Sequence, residues 1–332
     1  CLDRADGKER WRFTFQEIER DPKRAGPHVA PIADGDNVYA LGPARELVCL
    51  RAADGKVVWR HVDTHLIGEA TRSHQASDRL LLAGDQLLCS GQAPGCTRIT
   101  AIDKSTGAVR WSKYFRPPTW QIRYTTPALV RTSARRCLLH VGADGLVCLD
   151  ADSETLWQSP RITKEQGYYD PWNYLVSGRR FIVQRKKETE AWELTDAAGG
   201  PGPTCKKLWS CEVRPGGTAL ILAGRLIVIA PGGDSRRLAA RDAATGKLLW
   251  DKRVEKARLS GGIGVDGKLI LTSGKEVILA AVADEGLKVL SRAAIDGFES
   301  CGRTPAYSNG HLFVRDVTGL VKCLDLKTPS DK

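Results

Sequence analysis

Short segments in which apolar and polar residues alternate recur along the chain, joined in pairs by polar turns that mostly contain glycine. The clearest pair is LAARDAATGKLLW at 238–250, where a turn from Asp242 to Gly246 separates two such segments and the second ends at Trp250. Alternation with a period of two is typical of strands with one buried face. An Asp side chain can bond backbone N–H groups two residues on, and Gly supplies the positive φ that closes a tight turn. The pattern therefore predicts β-hairpins of fixed register.

The same hairpin recurs in CLDRADGKERW, ELVCLRAADGKVVW and TRITAIDKSTGAVRW, and GLVCLDADSETLW is a shorter copy without the Gly. In the full copies the Gly stands four residues before a Trp. The repeated tryptophans are Trp11, Trp59, Trp111, Trp157, Trp209 and Trp250. We expect each indole to pack against a neighbouring unit while its N–H finds an acceptor. A period of roughly 40 to 50 residues with about four short strands predicts the blades of a β-propeller.

The predicted fold is one all-β propeller domain of four-stranded blades over residues 1–332, with a last partial blade at 302–328. The blades end near the six repeated tryptophans and near Leu290, which we expect to replace the Trp of its repeat. Residues 1–15 supply only the last two strands of a first blade. The chain starts at Cys1 within a repeat and has no Met, so we expect the beginning of that blade to be missing. This favours eight blades, with seven as the alternative.

Composition sets bounds but does not select a partner. The chain is 42% hydrophobic and 27% charged, with a formal net charge of +11. A basic surface suits nucleic acid, anionic membranes or acidic partners, or is simply solvated. No long run of like charge and no basic helix is present, so no specific nucleic-acid signal arises. The most apolar run, at 219–230, is interrupted by Arg225 and is too short to cross a membrane.

The ten cysteines show no CxxC spacing, and no His stands at a ligand-like offset, so we predict no metal site. Cys1, Cys49, Cys148 and Cys323 share one column of the repeat, where we expect small apolar residues of inner strands. Two pairs, Cys205 with Cys211 and Cys89 with Cys96, could bridge hairpins in an oxidising compartment or remain thiols. The sequence leaves both states open.

The hairpins resemble the pyrroloquinoline-quinone-type (PQQ-type) propeller repeat: an apolar strand, Leu-Asp, two variable residues, Thr-Gly-Lys and then Trp. IDKSTGAVRW and RDAATGKLLW match this pattern best, and weaker copies cover nearly the whole chain. The resemblance implies a BamB-like or related envelope repeat protein, similar to those of planctomycete-like bacteria, and an extracytoplasmic location, periplasmic or envelope-associated. Proteins of this superfamily include quinoprotein dehydrogenases as well as proteins without known chemistry.

The resemblance also frames the choice between enzyme and scaffold. Quinoprotein dehydrogenases hold the quinone between a Trp and a disulfide of adjacent cysteines, beside Ca²⁺. This chain has no adjacent Cys pair and no CxxCH. We therefore expect a non-enzymatic scaffold that binds a protein partner, without catalytic residues, cofactor or metal. The alternative is a quinoprotein oxidoreductase that binds pyrroloquinoline quinone and Ca²⁺ in the axial channel.

Two groups of residues are candidate binding surfaces. In a propeller the first strand of each blade starts near the axial channel. Polar, cationic and aromatic residues at those starts would suit an anionic small molecule or an acidic peptide: they are His28, Arg72, His74, Arg123, Tyr124, Tyr169, Asn173 and Arg303. An aromatic loop at 165–174 could anchor a protein partner through Tyr168, Trp172 and Tyr174. The alternatives are a water-filled mouth and a loop folded over its own blade.

Overall fold

The computed structural model describes most of the chain, in ranges separated by gaps. These ranges are 1–15, 29–42, 46–61, 79–93, 96–115, 127–133, 136–142, 145–158, 173–184, 188–196, 203–212, 218–230, 234–254, 258–299, 304–316 and 318–326. Within them every regular element is a β-strand, and the strands form seven antiparallel sheets, named A to G below.

The strands follow the hairpins predicted from the alternating pattern. Sheet A contains β1 (Ile32–Asp34), β2 (Asn37–Leu41), β3 (Leu47–Arg51) and β4 (Val57–His61). Sheet B contains β5 (Arg79–Ala83), β6 (Gln86–Ala93), β7 (Cys96–Asp103) and β8 (Val109–Phe115). Sheet C contains β9 (Ala128–Arg131), β10 (Arg136–Gly142), β11 (Gly145–Leu149) and β12 (Thr155–Gln158). Sheet D contains β13 (Asn173–Ser177), β14 (Arg180–Gln184), β15 (Glu188–Asp196) and β16 (Pro203–Glu212).

The remaining sheets follow the same plan. Sheet E contains β17 (Ala219–Leu222), β18 (Arg225–Ile229), β19 (Arg237–Asp242) and β20 (Leu248–Arg253). Sheet F contains β21 (Leu259–Val265), β22 (Lys268–Ser273), β23 (Glu276–Val282) and β24 (Leu287–Ala294). Sheet G contains β25 (Ala306–Ser308), β26 (His311–Arg315) and β27 (Val321–Asp325). In all seven the spatial order of the strands is their order in the chain.

The fold is therefore the predicted all-β propeller of four-stranded blades, but the main prediction of eight blades is not supported. Seven sheets are present in the described residues. Residues 1–15 do not form an additional sheet, because their hairpin is held by a single isolated bridge between Leu2 and Glu9. Sheet G has three strands, as the sequence predicted for the final blade.

The chain falls into two compact units. The first comprises Cys1–Arg180 with Leu194–Lys206, and the second Phe181–Glu193 with Lys207–Lys332. In each unit the core lies between consecutive sheets. Apolar side chains of sheets A and B form one cluster and those of B and C another, in the first unit. Sheets E and F, and sheets F and G, pack in the same way in the second unit.

An irregularity of register that recurs from sheet to sheet fixes the tryptophan position. In four sheets the third strand pairs with the Trp and its register then shifts by one residue: Cys49 with Trp59, Ala101 with Trp111, Cys148 with Trp157, and Ala240 with Trp250. Sheet F has the same shift, yet Leu279 pairs with Ser291 and Ala280 with Val289, so Leu290 is the extra residue of the bulge. The expected replacement of Trp by Leu290 needs correction, because Ser291 holds the paired position.

Candidate functional site

In sheets B and E the turn between the third and fourth strands is built by an aspartate at its start. Asp103 Oδ1 accepts the backbone N–H groups of Ser105 and Thr106, both at 2.9 Å, and the Ser105 hydroxyl at 2.6 Å. The Gly107 N–H then donates to the Asp103 carbonyl at 2.9 Å and closes the turn. Asp242 makes the equivalent bonds in sheet E. The side chains that distinguish the repeat are thus engaged in holding their own hairpins.

These bonds stabilise the ionised form of the aspartates. The Ser105 hydroxyl and then the Arg110 guanidinium, with further help from backbone N–H groups, hold the pKa of Asp103 well below its usual range. The Thr245 hydroxyl is the largest cause of the lowered pKa of Asp242. The Thr318 hydroxyl lowers the pKa of Asp316 in the same way. These carboxylates are ionised at neutral pH and serve as hydrogen-bond acceptors.

Each repeated tryptophan for which a bond is described donates its indole N–H to a carbonyl in the turn of the following sheet. The Nε1–O distances are 2.8 Å for Trp11 to Ala52, 3.0 Å for Trp59 to Lys104, 2.7 Å for Trp111 to Ala151, 3.2 Å for Trp209 to Ala243, and 2.8 Å for Trp250 to Ala283. Each bond spans more than 30 residues of sequence. The tryptophans thus join consecutive repeats. Trp157 holds the same register position in sheet C.

The turn glycine lies directly against the indole of the preceding repeat. A Cβ atom on Gly107, whose φ is +77°, would lie 2.9 Å from Trp59 Cδ2. A Cβ on Gly55 or on Gly246 would lie even closer to the indoles of Trp11 and Trp209. Glycine is therefore required here twice, for the left-handed backbone and for close approach. In the shorter sheet C turn Ser153 adopts the positive φ, at +72°.

Most of the predicted binding residues lie outside the described part of the chain. This holds for His28, Arg72, His74, Arg123, Tyr124, Tyr169 and Arg303 of the expected channel mouth, and for Tyr168 and Trp172 of the aromatic loop. Asn173 and Tyr174 are the first two residues of β13, where their backbone is described. The channel mouth and the loop stay predictions.

Buried polar groups are the features that sequence reasoning missed. His140 on β10 is 1% exposed and lies against Phe115, with ring centroids 4.6 Å apart. Neither of its ring nitrogens has a hydrogen-bond partner among the described residues, and burial lowers its pKa to about 4. Its signal in the sequence is its place among apolar residues in CLLHVG, at an inward-facing position. We find no chemical role for it beyond packing as a neutral ring.

The outer strands expose large apolar side chains. The fourth strand stands at the edge of its sheet in A, E and F, where it carries exposed Val57, Val58, Leu248, Val289 and Leu290. β24 is the extreme case, because every residue after Leu287 is exposed. An edge strand presents unpaired backbone N–H and C=O groups along one side. These edges are surfaces to which another strand can add.

The cysteines divide by environment. Cys49 and Cys148 are buried as expected, whereas Cys1 and Cys323 are exposed, so the shared repeat column does not give a shared environment. Burial raises the pKa of Cys49 to about 11 and that of Cys205 to about 12. No disulfide joins cysteines of the described residues, and Cys205 and Cys211 are thiols. Cys96 lies in β7, where its side chain is not described.

Two features are absent from the described residues. Among them no three His, Cys, Asp or Glu side chains converge as a metal site would require. The residues that the sequence placed at the channel mouth lie outside this set, apart from Asn173, of which the backbone alone is described. The same described ranges contain no helix with the length and apolar character that a membrane crossing needs.

The sheet order, the Asp-based turn and the Trp-to-turn contact together define a β-propeller of PQQ-type repeats. A family profile described as outer membrane protein assembly factor BamB matches the chain over 1–230, 201–297 and 234–330. The chain therefore belongs to this family. No curated protein matches the sequence.

Solved structures share the fold at low sequence identity. BamB from Moraxella catarrhalis is 17% identical with a TM-score of 0.62, over 87% of this chain and 81% of that one. The Dos1 propeller is 11% identical with a TM-score of 0.58, over 86% of this chain and 75% of that one. Quinohemoprotein alcohol dehydrogenase from Comamonas testosteroni is 12% identical with a TM-score of 0.56, over 86% of this chain and 62% of that one. The shared propeller shows the fold and does not by itself identify an activity.

Proposed function

We propose that this protein is a non-enzymatic scaffold that binds a protein partner in the bacterial envelope, and that β24 is the strand through which it does so. The observation that carries the proposal is the exposure of β24 over all but the first of its residues at the free edge of sheet F. The family description, outer membrane protein assembly factor, supports an envelope location and a partner that is itself a protein.

The chemistry of β24 suits the addition of a strand. One side of the strand pairs with β23, and the opposite edge has no neighbour in sheet F. Val289 and Leu290 are 39% and 43% exposed, which gives an incoming strand apolar contacts as well as backbone hydrogen bonds. Lys288 and Arg292 flank them, so an extended segment with apolar and acidic side chains is the best match. Arg292 also pairs with Glu276 at 3.1 Å.

Site-specific photo-crosslinking in the native host tests this directly. A benzophenone amino acid at Val289 should yield one dominant adduct with an envelope protein. The same probe at Leu2, which is 58% exposed but lies outside the seven sheets, is the matched control and should not give that adduct. Leu290→Lys places a charge on the bulge and should remove the adduct from the Val289 probe. Identical adducts from both positions, or an adduct that survives Leu290→Lys, would contradict the proposed edge.

The alternative function is a quinoprotein oxidoreductase. Its support is the shared fold with the quinohemoprotein alcohol dehydrogenase and the PQQ-type repeat. The turn aspartates and the repeat tryptophans are engaged in structural bonds, which favours the scaffold. Binding of pyrroloquinoline quinone with Ca²⁺ distinguishes the two functions, as described at the end of the Discussion.

A further inference from the structure

A cleft between sheets B and C is the strongest unexplained feature of the first unit. It holds about 410 Å³ of space that no atoms fill, its open mouth included. The indole of Trp111 and the side chains of Leu88, Leu129 and Leu138 form its apolar walls, and Arg136 contributes a cation. Concave, mostly apolar sites with few polar groups are where small molecules bind.

The neighbouring contact between sheets A and B has an aromatic ring in the corresponding space. Tyr39 pairs with Cys49, which pairs with Trp59, so the phenol stands beside the repeat tryptophan. The two rings lie 5.9 Å apart between centroids, and the Tyr39 hydroxyl donates to the Lys104 carbonyl at 3.1 Å. Tyr39 is 0% exposed, which means that its ring closes the gap between the two sheets.

Sheet B has a smaller residue in the same position. Leu88 pairs with Ala101, which pairs with Trp111, so Leu88 occupies the register position of Tyr39. The carbonyl at the following turn, that of Ala151, receives bonds from Trp111 at 2.7 Å and from Gln86 at 3.1 Å instead. The phenol ring of Tyr39 thus has no aromatic counterpart beside Trp111, and Trp111 is more exposed than Trp59.

Sheets E and F close the same gap by a different route. Ile227 holds this register position in sheet E, again without an aromatic ring. The glycines of β21 let sheet F approach closely: a Cβ on Gly264 would lie 2.9 Å from Leu222 Cδ1, and one on Gly262 would lie 2.8 Å from Ile229 Cδ1. Trp250 is accordingly 6% exposed. In sheet C the first strand is ALVR, which has no glycine, so neither device closes the cleft.

We propose that the cleft between sheets B and C binds a small molecule with a single aromatic ring and a carboxylate. The ring takes the space that Tyr39 fills between sheets A and B, with Trp111 as a flat wall. The carboxylate pairs with Arg136, which has no ion-pair partner among the described residues. Asp150 also lines the cleft, but its Oδ1 is engaged by the backbone N–H groups of Asp152 and Glu154. This site is separate from the β24 edge.

Fluorine NMR with 4-fluorobenzoate and the full chain tests the proposal. We expect saturable binding with a Kd on the order of millimolar, as suits a ligand of so few atoms. Leu88→Tyr introduces the type of residue that fills the gap between sheets A and B. It should weaken binding by about tenfold or more, since its ring takes the space of the ligand's ring. Leu129→Phe fills the cleft from the opposite wall and should weaken binding to the same extent. It replaces Leu88→Tyr as the test if that variant lowers the folded fraction.

Charge recognition is tested separately. Arg136→Gln should weaken the binding of 4-fluorobenzoate by about fivefold, because the pair of guanidinium and carboxylate is partly exposed. The binding of the neutral 4-fluorobenzyl alcohol should be unchanged. Arg4→Gln removes an exposed arginine elsewhere and is the matched control, expected to have no effect. The proposal is overturned by the absence of saturable binding, by folded Leu88→Tyr protein that binds like the wild type, or by equal loss from both arginine variants. Binding only of a peptide with adjacent Phe and Glu would also overturn it.

Discussion

The indole of Trp59 lies directly against Gly107 of the next sheet and donates its N–H to the Lys104 carbonyl in the same turn. One side chain thus depends on both the shape of the neighbouring turn and its hydrogen-bond acceptor. The turn needs a glycine beside the indole and a carbonyl that accepts the indole N–H, here that of Lys104 directly after Asp103. This pairing explains why the Asp, the Gly and the Trp recur together.

The glycine requirement predicts a difference between two substitutions with the same backbone strain. Gly107→Ala places a Cβ at positive φ and 2.9 Å from the Trp59 indole. Gly224→Ala has the same strain, with φ at +75°, but meets nothing within 4 Å. We expect about 1 kcal/mol of destabilisation for Gly224→Ala and roughly 2 to 4 kcal/mol for Gly107→Ala, because overpacking adds to strain. Urea unfolding measures both, and equal losses would show that the indole moves aside without cost.

The indole bond predicts a second comparison. Ala283 accepts the Trp250 N–H, whereas the Lys104 carbonyl accepts both the Trp59 N–H and the Tyr39 hydroxyl. Trp250→Phe should therefore cost more than Trp59→Phe, by up to about 1 kcal/mol, because the Ala283 carbonyl keeps only the long bond from the Gly286 N–H at 3.4 Å, whereas the Lys104 carbonyl keeps the Tyr39 hydroxyl at 3.1 Å. Thermal unfolding of the two variants gives the difference. A larger loss for Trp59→Phe would contradict the assigned bonds.

His140 predicts a loss of stability on mild acidification. Its pKa is about 4 in the folded protein against 6.5 for an ordinary histidine, because burial disfavours the charged ring. A depressed pKa means that the unfolded chain binds the proton first, so stability falls as the pH drops from 6.5 towards 4. The full effect is on the order of 3 kcal/mol. His140→Phe should flatten this part of the stability curve, while His311→Gln, at a partly exposed position, should leave it unchanged. A flat wild-type curve would count against neutral burial.

The turn aspartates affect stability at a lower pH than His140 does. The pKa of Asp103 is depressed, so its stabilisation is present above an unfolded value of about 3.9 and is lost as the pH falls further. Asp103→Asn should destabilise the protein at pH 7, and the gap to the wild type should narrow at pH 3. Asp266→Asn, at a described aspartate in a different turn, is the control. A gap of constant size at both pH values would show that ionisation of Asp103 contributes nothing.

Thiol reactivity follows burial. Cys1 and Cys323 are exposed, whereas burial raises the pKa of Cys49 to about 11 and lowers its fraction of reactive thiolate. Iodoacetamide at pH 8 should modify Cys323 within the native protein and Cys49 only after unfolding. Peptide mass spectrometry locates the adducts. Early modification of Cys49 would indicate that sheet A opens readily.

Much of the fold was predictable because its determinants are local. The alternating strands, the Asp-to-Gly turn and the Trp are written within single hairpins, as in residues 238–250. Features that depend on pairing or on packing between sheets were not predictable in this way. Counting four residues on from Gly286, as in the other repeats, suggested Leu290, but a bulge gives the Trp position to Ser291. The empty space beside Leu88 depends on the absence of glycine in a strand of another sheet.

The measurement that tests the central claim most directly is calorimetric titration of pyrroloquinoline quinone with Ca²⁺ into the full chain, followed by its visible absorbance. A scaffold predicts no saturable heat and no quinone spectrum beyond that of the free compound. Saturable binding that is abolished by Arg123→Ala or Tyr124→Ala, together with oxidation of an alcohol, would contradict the scaffold and place a quinone in the channel.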